Sequence, residues 1–217
     1  MKKNTFIGDG AINYVKDIVE ENNVNKILLV TGKKSFALSG AKEKLERILK
    51  NKEVYHFNKF KTNPRLEESY SGIELIRNVN PELIIAVGGG SVIDMGKIIS
   101  ILASQSNDDL LRLVKNSELI NKVGIPLIAI PTTIGTGSET TRFAVVYVDK
   151  IKYSLAHDYI LPKYAIIDPT LSSQLPKEIV ASSGMDALSQ AVESFWSIKS
   201  TDESKSYASE AIIMILS

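Results

Sequence analysis

Leu83-Ile-Ile-Ala-Val-Gly-Gly-Gly-Ser-Val-Ile-Asp-Met-Gly-Lys97 runs from an unbroken apolar stretch through three consecutive glycines into a segment of helical composition. An apolar run without alternation predicts a strand covered on both faces, as in a parallel sheet. Gly88, Gly89, Gly90 and Ser91 at the strand-to-helix junction let an anion approach the backbone, where open N–H groups and the helix dipole favour negative charge. Asp94 falls in the first turn, where a carboxylate also suits the dipole. The plain alternative is a tight turn without a ligand. Three glycines in a row are costly in backbone entropy, which favours a ligand. The alternating glycines of the common dinucleotide fingerprint are absent, and this loop follows the third strand of the pattern instead of the first.

Outward from the junction the rhythm repeats. Lys26–Thr31 reads as a buried strand, residues 35–50 as a helix with charges on one face, Glu53–Phe57 as a strand and Leu66–Val79 as a helix. The helix opened by the glycines runs to about Ser104, and residues 125–130 form a fourth strand that ends at Pro131. Strand and helix in alternation predict a doubly wound α/β domain with a mostly parallel sheet. Beyond Pro131, residues 143–149, 152–156 and 164–168 are short strand candidates with no long helix between them. From Pro176 the reading is helical, to about Trp196 and again from about Glu203 to the end. The domain boundary falls near Asp168-Pro169, giving 1–169 and 170–217. The final run Ala211-Ile-Ile-Met-Ile-Leu216 is apolar and uncapped. A lone helix cannot bury it, so we expect the front part of a longer protein and self-association into a homo-oligomer.

Composition narrows the function classes. In 217 residues, 26 Lys+Arg against 25 Asp+Glu give a net charge of +1, which argues against a basic nucleic-acid surface. The absence of cysteine excludes disulfides, thiolate catalysis and thiolate metal sites. The amino terminus, MKKNTFIGDG, has two lysines but no signal-peptide core behind them, and no apolar run reaches the roughly 18 residues of a membrane span. A soluble, cytoplasmic protein is expected.

Two more stretches carry chemistry. Pro131-Thr-Thr-Ile-Gly-Thr-Gly-Ser-Glu139 follows the fourth strand, so its hydroxyls and glycines sit at the carboxyl end of the sheet, the usual ligand side. Alone it could be a polar loop; beside the glycine turn it reads as the second wall of a nucleotide site. Gly184-Met-Asp-Ala-Leu-Ser-Gln-Ala-Val-Glu-Ser194 places Asp186 and Gln190 on one helix face with Glu193 close by. An acid on a helix is usually only solvated.

Together, in this order, the three stretches resemble the amino-terminal part of an iron-containing (group III) alcohol dehydrogenase. That family shows a GGGSxxDxxK loop, a PTTxGTGSE loop and a G-x-DAL-x-x-A-x-E helix. Asn63-Pro64 and Ile167-Asp168-Pro169 match further family elements. The resemblance implies a Rossmann-like nicotinamide-nucleotide domain followed by the first helices of an all-helical domain, with the active site in the cleft between them. Gly88, Gly89, Gly90, Ser91, Asp94 and Asn63 would serve the cofactor, and Thr132, Thr133, Thr136 and Ser138 would line its nicotinamide side. A divalent metal, Fe²⁺ or Zn²⁺, would be bound from the helix carrying Asp186 and would polarise the oxygen of a small alcohol or aldehyde during hydride transfer.

The chain departs from the family at two places. Gln190 stands where the first metal histidine belongs, and an amide oxygen is a poorer ligand than imidazole for zinc or iron. His56 and His157, the only histidines, match no ligand position; His56 alternates within a strand and is expected to be structural. The chain alone is therefore expected to hold at most half of a metal site and to be inactive. Many members end the first strand with an Asp that favours NAD(H). Here Gly32 takes its place, with Lys33, Lys34 and Ser35 following, which favours NADP(H) over NAD(H). The Gln-bearing helix followed by Ser-Phe-Trp196 is similar to the phosphonoacetaldehyde reductase branch. Alternatives are a non-catalytic nucleotide-binding module, or a same-fold relative such as glycerol-1-phosphate dehydrogenase or 3-dehydroquinate synthase. The synthases carry Gly-Gly-Lys after the Pro-Thr-Thr loop, which is absent here.

Overall fold

A computed structural model describes residues 4–106 and 109–217; Lys2 and Lys3 lie outside them. The chain separates into two compact units. One reaches Thr132 and resumes over Ser138–Gln174; the other consists of Thr133–Gly137 and Leu175–Ser217.

The strands of the first unit are β1 (Thr5–Ile7), β2 (Lys26–Thr31), β3 (Glu53–Phe57), β4 (Leu83–Gly88), β5 (Leu127–Pro131), β6 (Phe143–Val148), β7 (Ile151–Ala156) and β8 (Tyr164–Ile167). Six of them form one sheet in the order β1-β8-β5-β4-β2-β3, every neighbouring pair parallel. Strands β6 and β7 pair antiparallel as a separate hairpin. The helices are α1 (Tyr14–Glu21), α2 (Ser35–Leu38), α3 (Ala41–Ile48), α4 (Leu66–Val79), α5 (Gly90–Ser104) and α6 (Leu110–Lys115).

The uniformly apolar strands serve two cores at once, because successive side chains point to opposite faces. Ile27 and Leu29 of β2 join Leu83, Ile85 and Val87 of β4 in a core with Val15 and Ile18 of α1 and Leu45 of α3. Leu28 and Val30 join Ile84 and Ala86 in a second core with Ile73 of α4, Ile98 and Ile99 of α5, and Ala144 and Val146 of the hairpin. Helices on both faces of a parallel sheet make the doubly wound α/β architecture.

Several elements differ from the sequence reading. The helix read over residues 35–50 is two helices, because Gly40 adopts φ 73°, a left-handed conformation that interrupts the ladder. The strand read from residue 125 begins at Leu127, since Pro126 has no N–H to give the ladder. The strand read over 143–149 ends at Val148, where Asp149 turns the hairpin at φ 54°. Strand β1 and helices α1 and α6 were not foreseen; β1 has three residues, too few to show a period.

The second unit holds α7 (Lys177–Trp196) and α8 (Asp202–Leu216), which pack on each other. Helix α8 opens with a reciprocal cap: the Thr201 hydroxyl accepts from Ser204 N at 3.1 Å, and Ser204 Oγ accepts from Thr201 N at 2.9 Å. The apolar final turns remain open, with Met214 70% and Leu216 69% exposed. Among the described residues, no helix is long and apolar enough to cross a membrane.

Candidate functional site

The order in which the chain fills the sheet reverses between β2 and β4: from β2 it moves outward to β3, then returns to the other side of β2 and continues through β5 and β8. Ligands of open parallel sheets bind at the carboxyl ends beside such a reversal. Thr31 pairs in register with Val87, and Gly88 with Pro131. The Gly32 turn, the glycine loop and Thr132 are thereby brought to one sheet edge.

At the glycine loop, a Cβ on Gly88 would lie 2.5 Å from Val92 Cγ2 and 2.7 Å from Val92 Cβ, so only glycine lets the first turn of α5 fold back on the strand. Gly89 is extended and no side chain caps α5. Val92 N donates to Gly89 O at 2.9 Å, which leaves the N–H groups of Gly90 and Ser91 to a ligand or solvent. Ser91 Oγ accepts from Asn63 N at 3.1 Å, and Pro64 O accepts from Tyr147 N at 2.7 Å. These bonds fix Asn63, itself at φ 60°, beside the loop.

Thr132 N donates to Gly88 O at 3.0 Å, tying the end of β5 to the glycine loop. Its side chain is 1% exposed, and Oγ1 has no hydrogen-bond partner among the described residues. An unpartnered buried hydroxyl costs about 1–3 kcal/mol.

At the end of β2, Lys33 and Lys34 are exposed and Ser35 half-buried. A Cβ on Gly32 would lie 2.3 Å from Ser35 Oγ, so the serine hydroxyl occupies the space an Asp would need. Thr31 Oγ1 and His56 Nε2 are 2.6 Å apart. Burial first, then the Lys42 charge, hold the His56 ring below its usual range. His157 caps a turn, its Nδ1 accepting from Tyr159 N at 3.1 Å.

Asp94 has a more internal position than its place in the motif suggests. Oδ1 accepts from Ser138 Oγ at 2.6 Å and Oδ2 from Val145 N at 3.1 Å, so the carboxylate serves the segment after the threonine loop. Burial pushes this carboxyl up against the opposing pull of those two bonds. Three residues on, the Lys97 ammonium donates to Thr141 O at 2.8 Å and Phe143 O at 2.7 Å, with Ser138 Oγ and Thr141 Oγ1 each at 3.3 Å. Burial lowers Lys97 to about 8, against Asp94 and Glu139, which raise it. Sequence reasoning quoted Lys97 without giving it a task. The available signal was a charged pair three residues apart on a helix that from Val92 to Leu102 otherwise carries a single polar side chain, Ser100.

Thr133 is half-buried and Thr136 exposed, both in the second unit. Between them Gly135 has φ +118°, and a Cβ there would lie 2.3 Å from Ser183 O of α7. On the same helix Gln190 Nε2 donates to Asp186 Oδ2 at 2.8 Å, both side chains exposed. Among the described residues, no group of three or more His, Cys, Asp or Glu could hold a metal ion. One carboxylate and one amide do not by themselves fit iron or zinc.

Comparison with known proteins identifies the family and the fold. The family model of iron-containing alcohol dehydrogenases matches residues 2–169. Alcohol dehydrogenase 4 of Saccharomyces cerevisiae is 32% identical over 220 residues, covering 97% of this chain and 56% of that protein. The NADPH-dependent butanol dehydrogenase of Clostridium saccharobutylicum is 33% identical over 222 residues, covering 99% of this chain and 56% of that protein. Among solved structures, sulfoacetaldehyde reductase from Bifidobacterium kashiwanohense in complex with NAD⁺ superposes with a TM-score of 0.90 at 32% identity, over 97% of this chain and 56% of that one. The chain spans about half the length of the curated relatives it matches.

Proposed function

This chain belongs to the iron-containing alcohol dehydrogenase family, and from that premise we propose that it is the nucleotide-binding part of an NADP(H)-dependent alcohol dehydrogenase or aldehyde reductase. The observation that carries the proposal is the buried, unpartnered Thr132 hydroxyl, tied through its own N–H to the glycine loop. The backbone of Gly88, Gly89, Gly90 and Ser91 holds the pyrophosphate at the start of α5, with Asn63 beside it. Thr132 and Ser138 of the first unit line the nicotinamide end. Asp94 acts one step back, holding Ser138 by its hydroxyl. When bound, the dinucleotide supplies or accepts the hydride at the carbon of a small primary alcohol or aldehyde.

Cofactor choice rests on Gly32, Lys33 and Ser35. The relatives include both an NADPH-dependent enzyme and one with bound NAD⁺, so the family leaves the choice to local residues. Two exposed lysines and a hydroxyl around a glycine suit a 2′-phosphate, whereas an Asp there would repel it. Gly32→Asp is the test. Ser35 Oγ, the end of a short side chain, can turn aside to admit it, and the affinity ratio of NADP(H) to NAD(H) should fall by about tenfold or more. An unchanged ratio would remove the basis for the NADP(H) assignment.

For substrate, the similarity to a sulfoacetaldehyde reductase and the Gln-bearing helix both favour a small aldehyde with an acidic head group, such as phosphonoacetaldehyde. Asp186 and Gln190 are offered as two oxygen donors toward a divalent cation. No step is assigned to them, because this donor set is incomplete. The second reading, a nucleotide-binding module without catalysis, is favoured by Gln190 in the place of a histidine. Aldehyde-dependent NADPH oxidation by the whole protein, with Fe²⁺ or Zn²⁺ added, separates the two. The 217-residue chain alone is expected to bind nucleotide without turnover.

A further inference from the structure

Lys97 is 1% exposed, on the helix that the glycine loop opens. Its donors converge on Thr141 O and Phe143 O, the carbonyls on either side of Arg142, and on the hydroxyls of Ser138 and Thr141. The Ser138 hydroxyl faces Lys97 Nζ at 3.3 Å and donates to Asp94 Oδ1 at 2.6 Å, so one hydroxyl links the ammonium to the carboxylate three residues earlier on α5. Asp94 also accepts from Val145 N. The backbone from Ser138 to Val145 is thus wrapped around two side chains of a single helix. Burying an ammonium is costly, and an apolar side chain of similar size would often stabilise the fold as well or better. What the cation adds is a fixed path for this backbone. That path begins with the Ser138–Thr140 turn, which lies against β5, the strand that ends beside Thr132.

We infer that Lys97 is a positioning residue for the nicotinamide end of the dinucleotide: it clamps the segment 138–143 so that Ser138 and the backbone after it stand ready beside Thr132. The inference rests on the nucleotide reading above, and it assigns Lys97 no contact with the cofactor. The charged groups facing this clamp are Asp94 on α5, Glu139 in the turn and Lys152 on β7. Asp158 and Lys163 line a cavity that Lys97 borders. Because the ammonium titrates at about 8, the clamp loosens as the pH rises above that value.

The test compares two ligands that differ at the nicotinamide end: NADP⁺ and 2′-phospho-ADP-ribose, each titrated calorimetrically into this chain. For Lys97→Met, the NADP⁺ affinity should fall by about tenfold while that of 2′-phospho-ADP-ribose stays within about twofold. If both fall together, Lys97 is only a structural residue and the inference fails; if neither changes, it also fails. Should the variant not fold, the wild-type chain decides. Between about pH 7 and about pH 9.5, the ratio of the two affinities should decline as Lys97 loses its proton, and a constant ratio overturns the inference. A wild-type chain that binds the two ligands equally well overturns it while leaving the nucleotide reading intact. A chain that binds neither refutes the nucleotide reading and this inference with it.

Discussion

Replacing Thr132 by Val exchanges a hydroxyl for a methyl of nearly the same shape, at a position 1% exposed. The backbone bond from Thr132 N to Gly88 O is untouched by the change. In the protein without nucleotide, the lost group is a buried hydroxyl with no partner among the described residues. Leaving such a group unsatisfied costs about 1–3 kcal/mol, so its removal should stabilise the chain by about 1–2 kcal/mol. For a chain of this size that raises the melting temperature by about 2–8 °C. Binding should move the other way. Losing one neutral hydrogen bond to the cofactor costs about 0.5–1.5 kcal/mol, or roughly a twofold to tenfold loss of affinity. Differential scanning fluorimetry reads the first effect and calorimetric titration the second. A variant that melts at or below the wild-type temperature and binds the dinucleotide equally well would refute the reasoning, since the hydroxyl would then be satisfied by solvent and unused by a ligand.

Two further expectations follow from other parts of the molecule. Asp168, 2% exposed, accepts from Gly10 N and Ile12 N at 3.2 Å, from Thr170 N at 3.1 Å and from Thr170 Oγ1 at 2.6 Å, with Lys44 Nζ at 3.9 Å. Burial acts to raise this carboxyl, but the Thr170 hydroxyl and the N–H groups of Ile12, Gly10 and Thr170 outweigh it and hold the carboxyl below its usual range. A lowered value means stability that is present above the unfolded value of about 3.9 and lost as the pH falls through the folded one. Asp168→Asn should cost about 2–4 kcal/mol near neutral pH and show a smaller loss than wild type below about pH 4. Urea midpoints across that range check both, and parallel curves would contradict the assignment. Gly135→Ala combines a disfavoured φ with a Cβ 2.3 Å from a backbone carbonyl of α7. Hydrogen exchange should therefore quicken at the amides of α7 around Ser183, by about tenfold or more; unchanged protection would show that the contact is soft.

Much of the first unit was legible in the sequence because central parallel strands must be apolar on both faces. Lys26–Thr31 and the run into Gly88 could hardly be read otherwise, and the triple glycine named the sheet edge where Gly32 and Thr132 now meet it. What escaped had physical reasons. The three residues of β1 carry no period, and Gly40 breaks a helix whose hydrophobic pattern continues on both sides. The clamp formed by Asp94 and Lys97 joins residues more than forty positions apart in the chain, so the charged pair on α5 signals a partner without naming it. The unpartnered state of Thr132 Oγ1 is a property of three-dimensional surroundings alone. At α7, the pairing of Asp186 with Gln190 followed from their spacing of four, yet two oxygen atoms do not complete a metal site.

The most direct test of the central claim is a calorimetric titration of this chain with NADP⁺ and with NAD⁺. The account expects saturable one-to-one binding of both, with NADP⁺ the tighter ligand. Failure of the folded chain to bind either nucleotide would contradict it, and would leave the glycine loop as a turn and the family likeness as a matter of descent alone.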